Sequence, residues 1–150
     1  MKNARGITLI EVLIAILLLS GGLLGVVALQ AQSLKMSANA GTLSLAVKQA
    51  SNMVDRMQAN PQAVSAGHYN AVSGTYTDPG CGNACTPQQL AQLDAFQWVA
   101  DNASLLHSGL GTVTNIAGTN LYTVALNWTE RGKDADVSQT YRVTFMPYQP

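Results

Sequence analysis

Residues 1–30 read MKNARGITLIEVLIAILLLSGGLLGVVALQ, and this stretch decides the architecture. Between Val12 and Leu29 there is no charge, and the only polar side chain is Ser20. Those 18 residues reach the lower limit for a helix crossing a hydrocarbon core of roughly 30 Å. The remainder of the chain is far more polar, so the sequence predicts one membrane helix followed by a small soluble head. Lys2 and Arg5 precede the apolar run, and basic residues of this kind hold an N-terminus on the cytoplasmic side. One residue breaks the pattern. The span as a whole reads from Ile7 to Leu29, and Glu11 lies inside it, where a carboxylate costs on the order of 2.5–3.5 kcal/mol to insert. Ionisable groups at such positions have partners and functions.

Two ordinary readings leave that carboxylate unexplained. A secretory signal would end at a small-residue cleavage site, for which Val26-Val27-Ala28 would serve. A plain anchor needs no acid at all. A third reading accounts for it. Residues 6–13, GITLIEVL, resemble the class III signal of type IV prepilins, whose usual form is GFTLIEVL. The resemblance implies that MKNARG, residues 1–6, is a leader. It also implies that a membrane-embedded prepilin peptidase cuts between Gly6 and Ile7, and that Ile7 becomes the N-methylated first residue. Ile7 departs from the commoner Phe but stays apolar. Cleavage creates a cationic amine, and Glu11, four residues on, shares its helix face. Pairing two opposite charges in an apolar setting costs far less than burying either alone. The resemblance assigns Glu11 this task, subunit registration against a neighbouring N-terminus.

The helix is expected to continue beyond the membrane. Met36, Ala40, Leu43, Val47, Ala50, Val54 and Met57 recur at spacings of 4, 3, 4, 3, 4 and 3. Asn60-Pro61 marks the stop, because the residue before proline avoids the α region. A helix from Ile7 to about Asn60 would be roughly 80 Å long at 1.5 Å per residue. The head itself is the expected cover for the stripe, ahead of an intermolecular coiled coil. Residues 7–30 then form the membrane or filament-core half of the helix, residues 31–60 the amphipathic half, and residues 61–150 the head. Gly21, Gly22 and Gly25 fit either close helix packing or a local bend.

Residues 62–82 read as a surface loop with a short strand at residues 74–77. Cys81 and Cys85 could form a disulfide in an oxidising compartment, a small closed loop worth about 2 kcal/mol by chain entropy. Free thiols are the alternative. A zinc site would need two more ligands, and His68 and His107 lack zinc-motif spacing. Thr86-Pro87-Gln88-Gln89 opens a second helix with an N-cap, a proline at N1 and a capping box, running to about His107. Leu90, Leu93, Phe96, Trp98, Val99 and Leu106 on it read as core. Strands follow at residues 111–116, 121–128 and 137–146, the last two alternating. The expected fold class is α+β: a long N-terminal helix packed on a small antiparallel sheet head, as in pilins.

Further stretches narrow the resemblance. GGLLGVVALQ at 21–30, MVDRMQAN at 53–60 and AQLDAFQWVADN at 91–102 resemble minor pilins of the PilV kind. That resemblance implies a low-abundance subunit that helps prime pilus assembly and supports adhesin display near the tip. The partners it implies are prepilin peptidase, the other minor pilins, the major pilin and a tip adhesin. The location it implies is the bacterial inner membrane with the head in the periplasm, then the extracellular pilus.

The closest rival, a type II secretion pseudopilin, uses the same signal and helix. Catalysis has no visible basis: no nucleophile–base arrangement, metal loop or P-loop stands out, and no cofactor is expected. Asp55 and Arg56 read as solvated. Eight basic residues balance eight acidic ones, and loss of the leader leaves six against eight, so nucleic acid is not an expected partner.

Overall fold

The computed structural model describes residues 8–82, 84–132 and 135–148. Seven elements follow in order: α1 (Leu9–Ala59), α2 (Pro61–Ser65), β1 (Ala71–Val72), α3 (Pro87–Leu105), β2 (Leu110–Asn115), β3 (Tyr122–Arg131) and β4 (Asp136–Phe145). The chain divides into two compact units at Ala40–Gly41, within α1.

In the first unit every residue from Leu9 to Ala38 is exposed. No proline interrupts the helix, and Ser20 folds its hydroxyl back onto the Leu17 carbonyl at 2.8 Å. That bond removes the one polar side chain of the run from any need for water.

The second unit is built around the last five turns of α1. Ala46, Ala50, Met53 and Met57 are buried there, with Leu45 and Val54 packed against the same core. The buried line is the expected stripe turned by one residue, with 46 and 53 in place of 47 and 54. It is also shorter than expected, because Met36 is 64% and Leu43 46% exposed. The turn has a physical cause. Trp98 of α3 donates its indole N–H to the Gln49 carbonyl at 2.8 Å, and Ala46 and Ala50 are buried in the same core cluster as its ring.

Asn60 ends α1 and starts α2. Its backbone sits at φ −126°, ψ 61°, outside the α region, as a residue before proline requires. Its side-chain oxygen then accepts from Ala63 N at 3.4 Å, with Pro61 in the first turn. Part of the expected loop is therefore ordered structure. Ala63, Val64, Tyr69 and Val72 are buried, and β1 pairs with β2 through Ala71↔Thr114 and Val72↔Val113. Residues 74–77 are not a strand. Tyr76 instead brings its hydroxyl to Ser73 N (3.2 Å) and the Ala71 carbonyl (3.4 Å), occupying the open edge of β1.

The capping box of α3 is complete. Thr86 Oγ1 accepts from Gln89 N at 3.3 Å, and Gln89 Oε1 accepts from Thr86 N at 3.0 Å. The helix ends at Leu105, two residues before the expected end, because Leu106 turns extended to bury its side chain. The sheet is an antiparallel meander in the order β1-β2-β3-β4. Val113, Tyr122, Val124, Leu126 and Trp128 face the core, and residues 112, 114, 123, 127, 129, 140 and 144 give the other face an array of threonines and one asparagine. Gly111 is required where β2 meets α3, since a Cβ there would overlap the Trp98 ring and the Asn102 amide. The architecture is thus a long apolar helix packed, through its second part, on a small four-stranded sheet.

Candidate functional site

The residues singled out by sequence fall into three places. The first is the start of α1. Gly6 and Ile7 lie outside the described residues. Glu11 lies in the first turn of α1 and is exposed. Its N–H donates to the Thr8 carbonyl at 3.1 Å, and Thr8 Oγ1 lies at 3.4 Å from the same nitrogen. A threonine followed three residues later by a glutamate is the spacing of a helix start. The carboxylate also sits where the helix dipole favours negative charge. From Leu9 to Leu29 the surface around Glu11 is apolar and uncovered: Leu9 is 81%, Leu17 71% and Leu29 72% exposed. Among the described residues, this is the one helix long and apolar enough to cross a membrane. The site therefore consists of a lone acid in an apolar surface that demands another environment.

The second place is the loop before α3. Cys81 and Cys85 are joined by a disulfide, with their Cα atoms 5.0 Å apart. The bond closes the chain one residue ahead of the Thr86 cap.

The third place was not anticipated. Arg56 does not sit on a solvated face. Its guanidinium reaches Asp94 Oδ1 at 2.9 Å, Gln97 Oε1 at 2.9 Å and Asn52 Oδ1 at 2.7 Å. Asp94 is 6% exposed, and its second oxygen accepts from the Tyr69 hydroxyl. Asn60 donates to the Pro87 carbonyl at 2.9 Å and to the Tyr69 oxygen at 3.4 Å. The end of α1, the segment after α2 and the first half of α3 are thus tied by one polar network. Burial, with help from the Asp94 bond and charge, pushes the Tyr69 hydroxyl well above its ordinary ionisation range. The hydroxyl therefore stays a donor at physiological pH. The sequence signal for this network was weak: an acid in a helix whose other marked residues are apolar, and an Arg beside an Asp. Asp55, adjacent to Arg56, is exposed as expected.

His68 and His107 belong to different parts of the head, and no three His, Cys, Asp or Glu side chains among the described residues come together as a metal site. Asp78 accepts from Gly80 N at 2.8 Å, which makes it a turn residue.

Two family models match the chain. The prokaryotic N-terminal methylation motif matches residues 1–28. A model described as Type IV pilin Tt1218 matches residues 28–96, from the apolar half of α1 through the Arg56–Asp94 network. No curated protein and no solved structure gives a match.

Proposed function

We propose, from the premise that this chain belongs to the type IV pilins, that it is a minor pilin that helps prime pilus assembly. Processing by prepilin peptidase and assembly with other pilins follow from the methylation motif. In our reading the peptidase hydrolyses the Gly6–Ile7 amide, releases MKNARG and leaves the Ile7 amine to be methylated. The amine stays cationic. The Glu11 carboxylate, four residues on, pairs with that amine on a neighbouring subunit and sets the axial position of the incoming helix.

The observation that carries this reading is the uncovered apolar surface of α1 with Glu11 within it. Alone in lipid, that carboxylate is costly; against a second N-terminus it is satisfied. The uncovered surface can exchange lipid for other helices at little hydrophobic cost, since both environments are apolar. The PilV-like stretches at 21–30, 53–60 and 91–102 support the minor role, a position near the tip and the display of an adhesin there. The head is placed in the periplasm before assembly, on the grounds of Lys2 and Arg5 at the cytoplasmic end.

Intact mass of the protein from its native membrane is the first test. The expected species begins at Ile7 and carries one added methyl group. Persistence of Met1 in a strain that processes its other prepilins would overturn the reading. Quantitative mass spectrometry of sheared filaments then tests the minor role. The expected result is a small fraction of the major subunit, together with few or no pili in the deletion strain. Equal abundance with the major subunit would refute it.

A further inference from the structure

The sheet has two edges, and the chain treats them differently. The edge at β1 is short and closed, because the Tyr76 hydroxyl takes up Ser73 N and the Ala71 carbonyl. The edge at β4 is long and open. Asp136–Phe145 pairs with β3 at each of its 10 residues, with no bulge to turn the edge away. The strand holds no proline and no lysine, the residues that commonly blunt an edge, and Pro147 comes only after it ends.

The register fixes which backbone groups face outward. Ile116 N donates to the Leu121 carbonyl across from it, and Thr129 N donates to the His107 carbonyl, so the odd-numbered residues of β3 bond towards β2. Its even-numbered residues bond towards β4, where they engage Val137, Gln139, Tyr141, Val143 and Phe145. Asp136, Ser138, Thr140, Arg142 and Thr144 therefore aim their N–H and C=O groups at the open edge, and these groups have no partner among the described residues. The apolar side of this edge is unfinished as well. Val137 is 48% exposed, and Tyr141, Val143 and Phe145 are only partly buried against the core. An added strand would continue the ladder and cover those exposed sides together. Charge narrows what that strand can be. Arg142 is the one charged side chain between Val137 and Phe145, it is exposed, and it makes no ion pair among the described residues. A cation there repels a basic strand and favours one that sets an acid directly across from it. We propose that the open edge of β4 binds an extended segment of a partner protein as an added antiparallel strand, with an Asp or Glu opposite Arg142 and apolar residues flanking that acid beside Tyr141 and Val143. The proposal does not rest on the filament reading.

The test uses the full chain in detergent and fluorescence anisotropy of a labelled peptide, Ser-Val-Thr-Val-Asp-Val-Thr-Val-Ser. A second peptide carries Lys in place of Asp. A third keeps the Asp sequence but is N-methylated at Asp and at both Thr, which removes the donors that would face β4. The expected result is saturable binding of the Asp peptide, at least tenfold weaker binding of the N-methylated peptide, and weaker binding of the Lys peptide. Arg142→Glu changes an exposed side chain, and matching circular dichroism would show that it folds. It is expected to weaken the Asp peptide about fivefold and to reverse the preference in favour of Lys, since opposite and like charges directly across a strand pair differ by about 1 kcal/mol. No saturable binding of the Asp peptide, equal binding of the N-methylated peptide, or an unchanged preference in folded Arg142→Glu would each overturn the proposal. So would sedimentation showing that the free chain dimerises and that Thr140→Pro, which removes an edge donor, abolishes the dimer, because the edge would then belong to a second copy.

Discussion

Glu11 has a single acidic group and a large apolar surface around it, so its replacement separates two events. Under the proposed function, cleavage would depend on the leader and the bond at Gly6–Ile7, and registration on the carboxylate. Glu11→Ala is expected to leave leader removal intact and to reduce incorporation at least tenfold. Immunoblots of cell and sheared-filament fractions read both. At the other end of α1, Asp94 is buried against Arg56 and Tyr69, so its removal strands two polar partners. Asp94→Ala is expected to lower stability by about 2–4 kcal/mol, since truncating one partner leaves the other uncompensated. Arg56→Ala should cost at least as much, because it leaves the buried Asp94 carboxylate without its cation, whereas the guanidinium left by Asp94→Ala is 23% exposed and can turn to water. Thermal melts of the full chain in detergent compare the two. Tyr69 supplies a pH signature. Its hydroxyl ionises at a higher pH folded than unfolded, so its contribution is full below the unfolded value of about 10 and falls as pH rises from there toward the folded value. Melting temperature should therefore drop from pH 10 upward. Tyr69→Phe should flatten that drop, and Tyr122, also raised by burial, accounts for a part that remains.

At the scale of elements, α3 depends on its start and on one glycine facing it. Thr86→Ala removes half of a capping box and should cost about 1 kcal/mol. Gly111→Ala should cost more, because its new methyl group meets the Trp98 ring and must displace either the strand or the helix. Denaturant titrations rank the two. Such elements were legible in sequence where the signal is local. The cap at Thr86, the stop at Asn60-Pro61 and the alternation of β3 and β4 each need only neighbours in the chain. Legibility failed where the deciding partner is distant. The buried line on α1 turned by one residue because Trp98, 49 residues away, needed the Gln49 carbonyl. β1 escaped notice because two residues cannot show a period. The Arg56–Asp94 pair spans 38 residues, and nothing in either local pattern points to the other. Glu11 was legible as an anomaly for the opposite reason: an acid in an apolar run stands out without any partner.

For the molecule as a whole, the two parts of α1 answer to different environments. Met53, fully buried among head residues, contributes to the stability of the head. Leu43 is 46% exposed and does not. Met53→Ala is expected to cost about 2–5 kcal/mol of head stability, whereas Leu43→Ala should stay within about 0.5 kcal/mol. If Leu43→Ala nevertheless lowers filament incorporation in a pull-down of assembled pili, that stretch of helix contacts other subunits. The same arrangement governs how the head responds to force. α1 belongs to no sheet, and the strands enter the chain only after it. Tension passed along α1 past Gly41 reaches the rest of the head sideways, through Trp98 on the Gln49 carbonyl, Arg56 on Asp94 and Gln97, and the buried methionines. The load therefore falls on these lateral side-chain contacts in shear, while the backbone ladder of β2, β3 and β4 carries none of it directly. Mechanical failure would begin as slippage between α1 and α3, with the sheet intact.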